Sequence, residues 1–291
     1  MAATTDWAGA PAVLRMILGK QLQALRRRAG LSYDQAAEAL DASHSTIRRI
    51  EAAKVARLRA PVVEKLLRTY GVSDPAEIAA FLETVREANQ RGWWHSYREV
   101  MPTWGAAYLS LEQASRQIRA YEAQVVHELL QTEAYARAQI AAEGPHLPPA
   151  LVERRLGLRM RRQELLRRPD PPRVWVVLDE AALRRPVGGD GVMAEQIAHL
   201  VALNERPHVT VQVLRFDRGS HPAMRIGAFH HFRLRSPELP DVVYHATPTG
   251  AGYLDAPEDV LVCRETLDRL SAQAAPGRRT AAVLAEIRQE L

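Results

Sequence analysis

The sequence predicts an all-α N-terminal domain of five short helices followed by a larger α+β domain. Three observations carry this. In the first 90 positions, apolar residues recur at helical spacing between capping residues. Residues 13–73 hold 12 Lys and Arg against 5 Asp and Glu, a net of +7, whereas the rest of the chain sums to −2, so the positive charge sits in that one small segment. Beyond residue 108, helical patterns alternate with β-branched runs at 173–178, 209–214, 226–234 and 242–245.

Leu14, Leu18, Leu22 and Leu25 form one face of a first helix, whose other side carries Lys20 and Arg26 to Arg28, and Gly30 ends it. Ser32 and Gln35 match the capping box, in which each side chain satisfies an orphan amide at a helix start. The second helix stops near Leu40. After Asp41 and Ala42, Ser43 offers an N-cap for a third helix over 44–51. Pro61 in a first turn, Val63, Leu66, Leu67 and Tyr70 at helical spacing, and Gly71 as a stop give a fourth. Asp74, Pro75 and Glu77 open a fifth that buries Ile78, Leu82 and Val85.

Residues 91–107 read as an aromatic-rich connector. It holds Trp93, Trp94 and Trp104, three of the five tryptophans, with Tyr97, and filling a seam between domains is a plainer role for them than a ligand-stacking cage. Residues 108–291 then read as the α+β domain. Helices are expected over 109–121, 132–142, 149–168, 193–204, 257–274 and 279–290, with the four β-like runs between them and a turn at Gly188, Gly189, Asp190 and Gly191.

Composition excludes several classes. The chain has 291 residues, 47% hydrophobic and 25% charged, which rules out a disordered or fibrous protein. No apolar run approaches the roughly 18 residues of a spanning helix, so no membrane association is expected. One cysteine, Cys263, cannot form an internal disulfide, and the N-terminus, with Asp6 and no basic Leu-rich leader, does not read as a signal peptide. A cytoplasmic protein is expected. The pI of 9.6 is a weaker argument for nucleic acid than the placement of charge, because 36 of 39 basic residues are arginine, as a GC-rich coding bias also produces.

Two helices joined by a tight turn, the second starting at a small polar cap, are the sequence form of a helix-turn-helix. At ~100° per residue the third helix places Ile47 and Ile50 on one side and Ser45, Arg48, Arg49 and Ala52 on the other. Small Ala37 permits the close crossing. A helix bearing Ser, His, Thr and Arg suits the major groove of double-stranded DNA, where guanidinium pairs with guanine O6 and N7 and hydroxyls reach phosphates or base edges. Arg48 and Arg49 are the candidate base readers, with Ser43, His44, Ser45 and Thr46 at the N-terminal end, while Lys54, Arg57 and Arg59 are placed to grip phosphates.

Leu31-Ser32, Ala36-Ala37 and Ser43-x-Ser45-Thr46-Ile47-x-Arg49-Ile50-Glu51 resemble the Xre-type, lambda-repressor-like DNA-binding domain over residues 13–73. The chain departs from that pattern at Tyr33, where the family often places a phosphate-binding Gln, at Asp41, where the turn is usually Gly, and at Arg48, often Ser. Gly92-Trp93-Trp94-x-x-Tyr97, Leu129-Leu130-Gln131-Thr132-x-x-Tyr135-Ala136, Arg161-Arg162-Gln163 and Leu178-Asp179-Glu180-x-x-Leu183-Arg184 are similar to the long C-terminal domain of WhiJ-like actinobacterial regulators. It departs at His127-Glu128, where Pro-Gly is favoured, and at His245, where an acidic residue is usual. The resemblance implies a regulator of development or secondary metabolism that binds DNA as a homodimer, with a small partner protein encoded nearby. Trp93, Trp94, Gln131, Asp179 and Glu180 are the candidate partner or ligand surface.

Catalysis is not expected. HExxH, GxSxG and phosphate-loop patterns are all missing from the sequence, and Cys263 has no ligand-spaced cysteine partner. His230 and His231, adjacent on a strand, point to opposite faces and cannot jointly chelate a metal. Asp179 and Glu180 at a strand end could rim a pocket, but acids at a helix N-terminus are the plainer reading. Neither a cofactor nor a metal is predicted. An alternative to the regulator is an antidote-like scaffold that mainly binds a partner and autoregulates its own operon.

Overall fold

The computed structural model describes residues 10–144, 146–237, 239–247 and 249–291. They divide into two compact units, one running to Ser96 and including Gly105–Ala114 and Ser236–Leu239, the other comprising Tyr97–Trp104, Ser115–Arg235 and Pro240–Leu291. The first is helical and the second is a mixed α/β domain around a six-stranded sheet.

In the first unit, α1 (Pro11–Arg28), α2 (Tyr33–Glu38), α3 (His44–Glu51), α4 (Ala60–Thr69) and α5 (Pro75–Ala88) follow the predicted order. The core gathers Val13, Leu18 and Leu22 of α1, Ile47 of α3, Val63 and Leu66 of α4 and Val85 of α5, none of them exposed. Each such apolar side chain contributes roughly 1.5–3 kcal/mol by leaving water. Leu82 and Leu25 are only half-buried. The Ser32–Gln35 capping box forms in full, with Oγ accepting from the Gln35 amide at 3.2 Å and Oε1 from the Ser32 amide at 2.8 Å.

One motif ends four of these helices. After α1, α2, α3 and α4, residues Gly30, Asp41, Ala53 and Gly71 adopt left-handed φ values of 69°, 51°, 54° and 88°. Each time the following amide bonds back five residues: Leu31 to Arg26, Ala42 to Ala37, Lys54 to Arg49 and Val72 to Leu67, at 3.0, 3.1 or 2.8 Å. This arrangement satisfies orphan carbonyls at a helix end and favours glycine. At Asp41 and Ala53 the position is filled by residues that carry a Cβ.

Two readings of this unit are corrected. Arg26 does not share the solvated face of Lys20: it is buried, because its guanidinium is fully engaged inside the domain. Ser43 occupies the N-cap of α3 but makes no cap bond to an amide, since its hydroxyl bonds those of Ser45 (2.8 Å) and Thr46 (3.0 Å) instead. The first part of the helix expected over 109–121 is found, starting earlier, as α6 (Gly105–Ala114), which belongs to this unit and packs on α1, with the Ala12 amide 3.3 Å from Ser110 Oγ. Within the aromatic-rich connector expected over 91–107, Trp93–Val100 form a 3-10 segment.

The second unit is built on β1 (Ser115–Glu122). The helix expected over 109–121 is present only as far as Ala114; from Ser115 the chain, although its Arg, Gln, Ala and Glu favour helix, forms an inner strand with partners on both edges. Burial of Ile118 and Ala120 and the two ladders outweigh local propensity. Then come α7 (Glu133–Glu143), α8 (Pro149–Gln163), β2 (Arg173–Asp179), α9 (Glu180–Arg184), α10 (Asp190–Asn204), β3 (Val209–Leu214), β4 (Phe229–Leu234), β5 (Val242–Thr247), β6 (Gly250–Leu254), α11 (Pro257–Gln273) and α12 (Thr280–Gln289). The helix expected over 149–168 finishes as a 3-10 turn from Glu164, the strand expected from 226 begins at Phe229 with Ile226 exposed, and β6, with two glycines, was not anticipated.

The strand order is β3-β2-β1-β4-β5-β6. β1, β2 and β3 run parallel, and β4, β5 and β6 continue antiparallel. Alternation along the strands sends Tyr121, Val177, Phe229 and Val243 into a core against α11 with Leu267 and Leu270. Glu122 and His230 face the opposite way. Beside that face, Ala136, Ile140 and Leu156 pack α7 on α8.

Candidate nucleic-acid interface

The site on the first unit is the outward face of α3. Ile47 and Ile50 are 0% and 7% exposed and Glu51 is 3% exposed, so one side of this two-turn helix is anchored inside the domain. His44, Ser45, Thr46, Arg48 and Arg49 are all exposed on the other. His44 lies beside α2, with Nδ1 4.0 Å from Asp34 Oδ1. Alanines set the crossing: Ala36 and Ala37 are buried where α2 meets α3.

Two contacts fix α3 from behind. At Gly19 the backbone of α1 comes so close to α3 that an added Cβ would overlap the carbonyl oxygen of Glu51. Next to it, Arg26 Nε and Nη2 donate to the two carboxylate oxygens of Glu51 at 2.8 and 3.0 Å, with side-chain exposures of 7% and 1%. Arg26 Nη1 also donates to the Leu31 carbonyl at 2.7 Å, and Tyr70 donates its hydroxyl to Glu51 Oε1 at 3.2 Å. The Glu51 hydrogen bond holds the Arg26 guanidinium even more firmly protonated than usual, and burial, then the Glu51 charge, push the Tyr70 phenol up. A planar fork on a carboxylate is the strong form of an ion pair. Sequence reading passed over this pair, although Glu51 at the end of an apolar-faced helix was its visible signal.

Beyond α3, the segment 52–59 carries Lys54, Arg57 and Arg59, all exposed. Reciprocal bonds hold its far end, from the Leu58 amide to Asn89 Oδ1 at 3.0 Å and from Asn89 Nδ2 to the Leu58 carbonyl at 2.6 Å. Tyr33 is half-buried. The Arg26 guanidinium lies 3.9 Å from its ring centroid, and its hydroxyl accepts from Gln23 Nε2 at 3.5 Å. Together the exposed groups form a cationic, hydroxyl-bearing surface of the kind that donates to phosphates and base edges.

The remaining predicted residues are divided between the two units. Trp93 and Trp94 belong to the first unit, where they stack edge to face at 5.7 Å, with Trp94 buried over Gly92. Gln131, Asp179 and Glu180 lie in the second. Gln131 is 1% exposed because its amide is used internally: Nε2 donates to Val126 O and Gln139 Oε1, and Oε1 accepts from Arg159 at 3.1 Å. Glu180 is buried between Arg184 Nε at 2.6 Å and the Phe216 amide at 2.8 Å. Asp179 is the N-cap of α9, accepting from the Ala181 amide at 2.9 Å, as acids at a helix start suggest, and its other oxygen accepts from Tyr121 at 3.0 Å. Gln131 and Glu180 are thus interior rather than surface groups, and Asp179 is half-buried, because folding has already satisfied them.

Around Gln131 the second unit encloses a polar network. Glu128 accepts from Arg159 Nη2 at 2.8 Å and from Arg162 Nη1, and these two cations hold its carboxyl well below the usual range despite burial that pushes the other way. Next to Glu128, the fully buried His127 caps the 3-10 turn Glu128–Leu130, with Nδ1 accepting from the Leu129 amide at 3.2 Å. Burial pushes the His127 imidazole far down, helped by the neighbouring His230 and Arg162.

Among the described residues, no helix is long and apolar enough to cross a membrane. No curated protein and no solved structure matches the chain. Residues 17–81 match a helix-turn-helix domain family, which agrees with the exposed face of α3 and marks the first unit as a DNA-binding module. Residues 106–286, well over half the length, match a domain of unknown function, and the chain belongs to the family defined by that domain, DUF5753.

Proposed function

We propose that the protein is a sequence-specific transcriptional regulator that reads double-stranded DNA with α3, in the manner of the Xre-type domains its first unit resembles. The observation that carries this reading is the division of α3: Ile47, Ile50 and Glu51 are locked inward, and every polar residue from His44 to Arg49 is left facing out. Phosphate grip from Lys54, Arg57 and Arg59 supplies the salt-dependent part of affinity, and Arg48 and Arg49 supply base discrimination, roughly 1–3 kcal/mol for each good bidentate contact. Domains of this kind bind as dimers to half-sites about one helical turn apart, so the operator is expected to be a near-palindrome. Selection from a randomised duplex library, followed by electrophoretic shifts across a salt series, tests the reading. Enrichment of a symmetric site supports it, and equal affinity for all duplexes overturns it.

The second unit is read, on its resemblance to WhiJ-like proteins, as the part that binds a small partner protein. Phe216, Met224, Ile226, Leu261 and Val262, exposed by 44–66%, support that role. Co-purification of the full chain with the product of an adjacent small gene tests it, with Val262→Arg expected to weaken capture and leave DNA affinity unchanged.

A further inference from the structure

On the face of the sheet opposite α11, three side chains of the second unit converge at the end of β1. Glu122 is the last residue of that strand, His230 projects from the same face of the neighbouring β4, and His127 stands at the end of the short segment that leaves β1. One ligand atom from each lies within 4.8 Å of the other two. Glu122 Oε1 and His230 Nε2 are 2.8 Å apart, and the rings of His127 and His230 have centroids 4.7 Å apart. Glu122 is 7% exposed, His127 0%, and the His230 side chain 11%.

Among the described residues His127 Nε2 has no hydrogen-bond partner, although it is wholly buried. A buried nitrogen without a partner costs about 1–3 kcal/mol, so native proteins seldom leave one without a use. Here its neighbours are an imidazole and a carboxylate, the donor set that suits zinc and its first-row neighbours.

We propose that Glu122, His127 and His230 form a binding site for a divalent first-row metal ion, with Zn2+ as its probe. Four ligands at about 2.0–2.1 Å in a tetrahedron stand about 3.3 Å from one another, so entry of the ion spreads the Glu122–His230 pair slightly and draws His127 inward. Three protein donors leave one position for water. Arg159 and Arg162 are the nearby opposing charges, and both are engaged by Glu128.

Coordination carries a structural consequence. In the metal-free protein Nδ1 of His127 accepts from the Leu129 amide, so the ring's single proton resides on Nε2. A metal on Nε2 displaces that proton. The coordinated neutral ring carries its proton on Nδ1, and the Leu129 amide loses its acceptor. Occupancy of the site is thereby coupled to the first turn of Glu128–Leu130, the segment that presents Glu128 to its two arginines.

The test uses the full chain, stripped with a chelator and titrated with Zn2+ against a chromogenic competitor. One equivalent bound by the wild type is expected, with His127→Gln and His230→Gln each weakening it by at least about 100-fold, beyond the 10–100-fold typical of outer-shell changes. No Zn2+ binding by folded wild type, or binding as tight as the wild type's in either folded variant, overturns the proposal. Two measurements on the wild type keep it testable if a variant does not fold. Co2+ gives the intense visible absorption of a tetrahedral centre, and Zn2+ accelerates hydrogen exchange at the Leu129 amide. Weak octahedral absorption together with an unchanged Leu129 rate refutes it.

Discussion

Arg26 and Glu51, 25 positions apart, form a buried two-pronged ion pair that joins α1 to the C-terminal end of α3. The residue that anchors α3 is thus a charge held by a charge, with the Tyr70 hydroxyl as a third member. Glu51→Gln is expected to cost about 3 kcal/mol, because it leaves a buried guanidinium without its counter-charge. The double change Arg26→Met with Glu51→Leu is expected to recover most of that loss, since it removes both desolvated charges together. Urea denaturation of the three proteins checks this.

Ala53 holds a left-handed conformation at the end of α3, with φ of 54°. Ala53→Gly is expected to raise stability by about 1 kcal/mol, because glycine adopts that conformation without the Cβ penalty. DNA affinity should stay unchanged. Thermal denaturation and a gel shift on the selected operator measure the two outcomes.

On the proposed reading, the exposed cations are expected to divide by role. Arg49→Ala is expected to weaken binding to the preferred operator and relax the base preference at one position, while Lys54→Ala weakens binding evenly across sequences and lowers the salt slope by about one. Equal losses on all duplexes for Arg49→Ala would remove it from base reading.

Acid sensitivity is expected at Asp241. Burial pushes its carboxyl up, but the nearby His231, 3.0 Å away, and Arg233, which donates to it at 3.1 Å, outweigh that and leave it below the ordinary value of 3.8. A carboxylate depressed on folding contributes stability above its unfolded value, and that contribution is lost as pH falls through the folded one. Between pH 5 and pH 3, roughly spanning this window, the wild type should lose more stability than Asp241→Asn. Parallel denaturation curves at both pH values check the difference.

The first unit was legible because its signals are local. Ser32 with Gln35, Gly30, Gly71 and the Ile47–Ile50 spacing each act within one or two turns, and α3 occupies the expected residues 44–51. What escaped depends on distant partners. β1 looks helical until β2 and β4 flank it. Arg26 looks solvated until Glu51 arrives from another helix. His127 and His230 are ordinary histidines 103 positions apart until the sheet brings them together. The expectation that Gln131 and Glu180 lie on a surface failed for the same reason, because their internal acceptors and donors lie at positions such as Arg159 and Phe216.

Gly19 gives the domain a mechanical property that its charges do not. With backbone resting on the carbonyl of Glu51, nothing pliable separates the two cylinders, so their mutual tilt is set by hard contact. A methyl group there would act as a shim, pivoting the tip of α3 about its anchored end and re-aiming Arg48 and Arg49 without altering either side chain. If α3 reads DNA as proposed, residue 19, buried beneath that helix, is therefore a place where operator choice can be retuned by geometry alone.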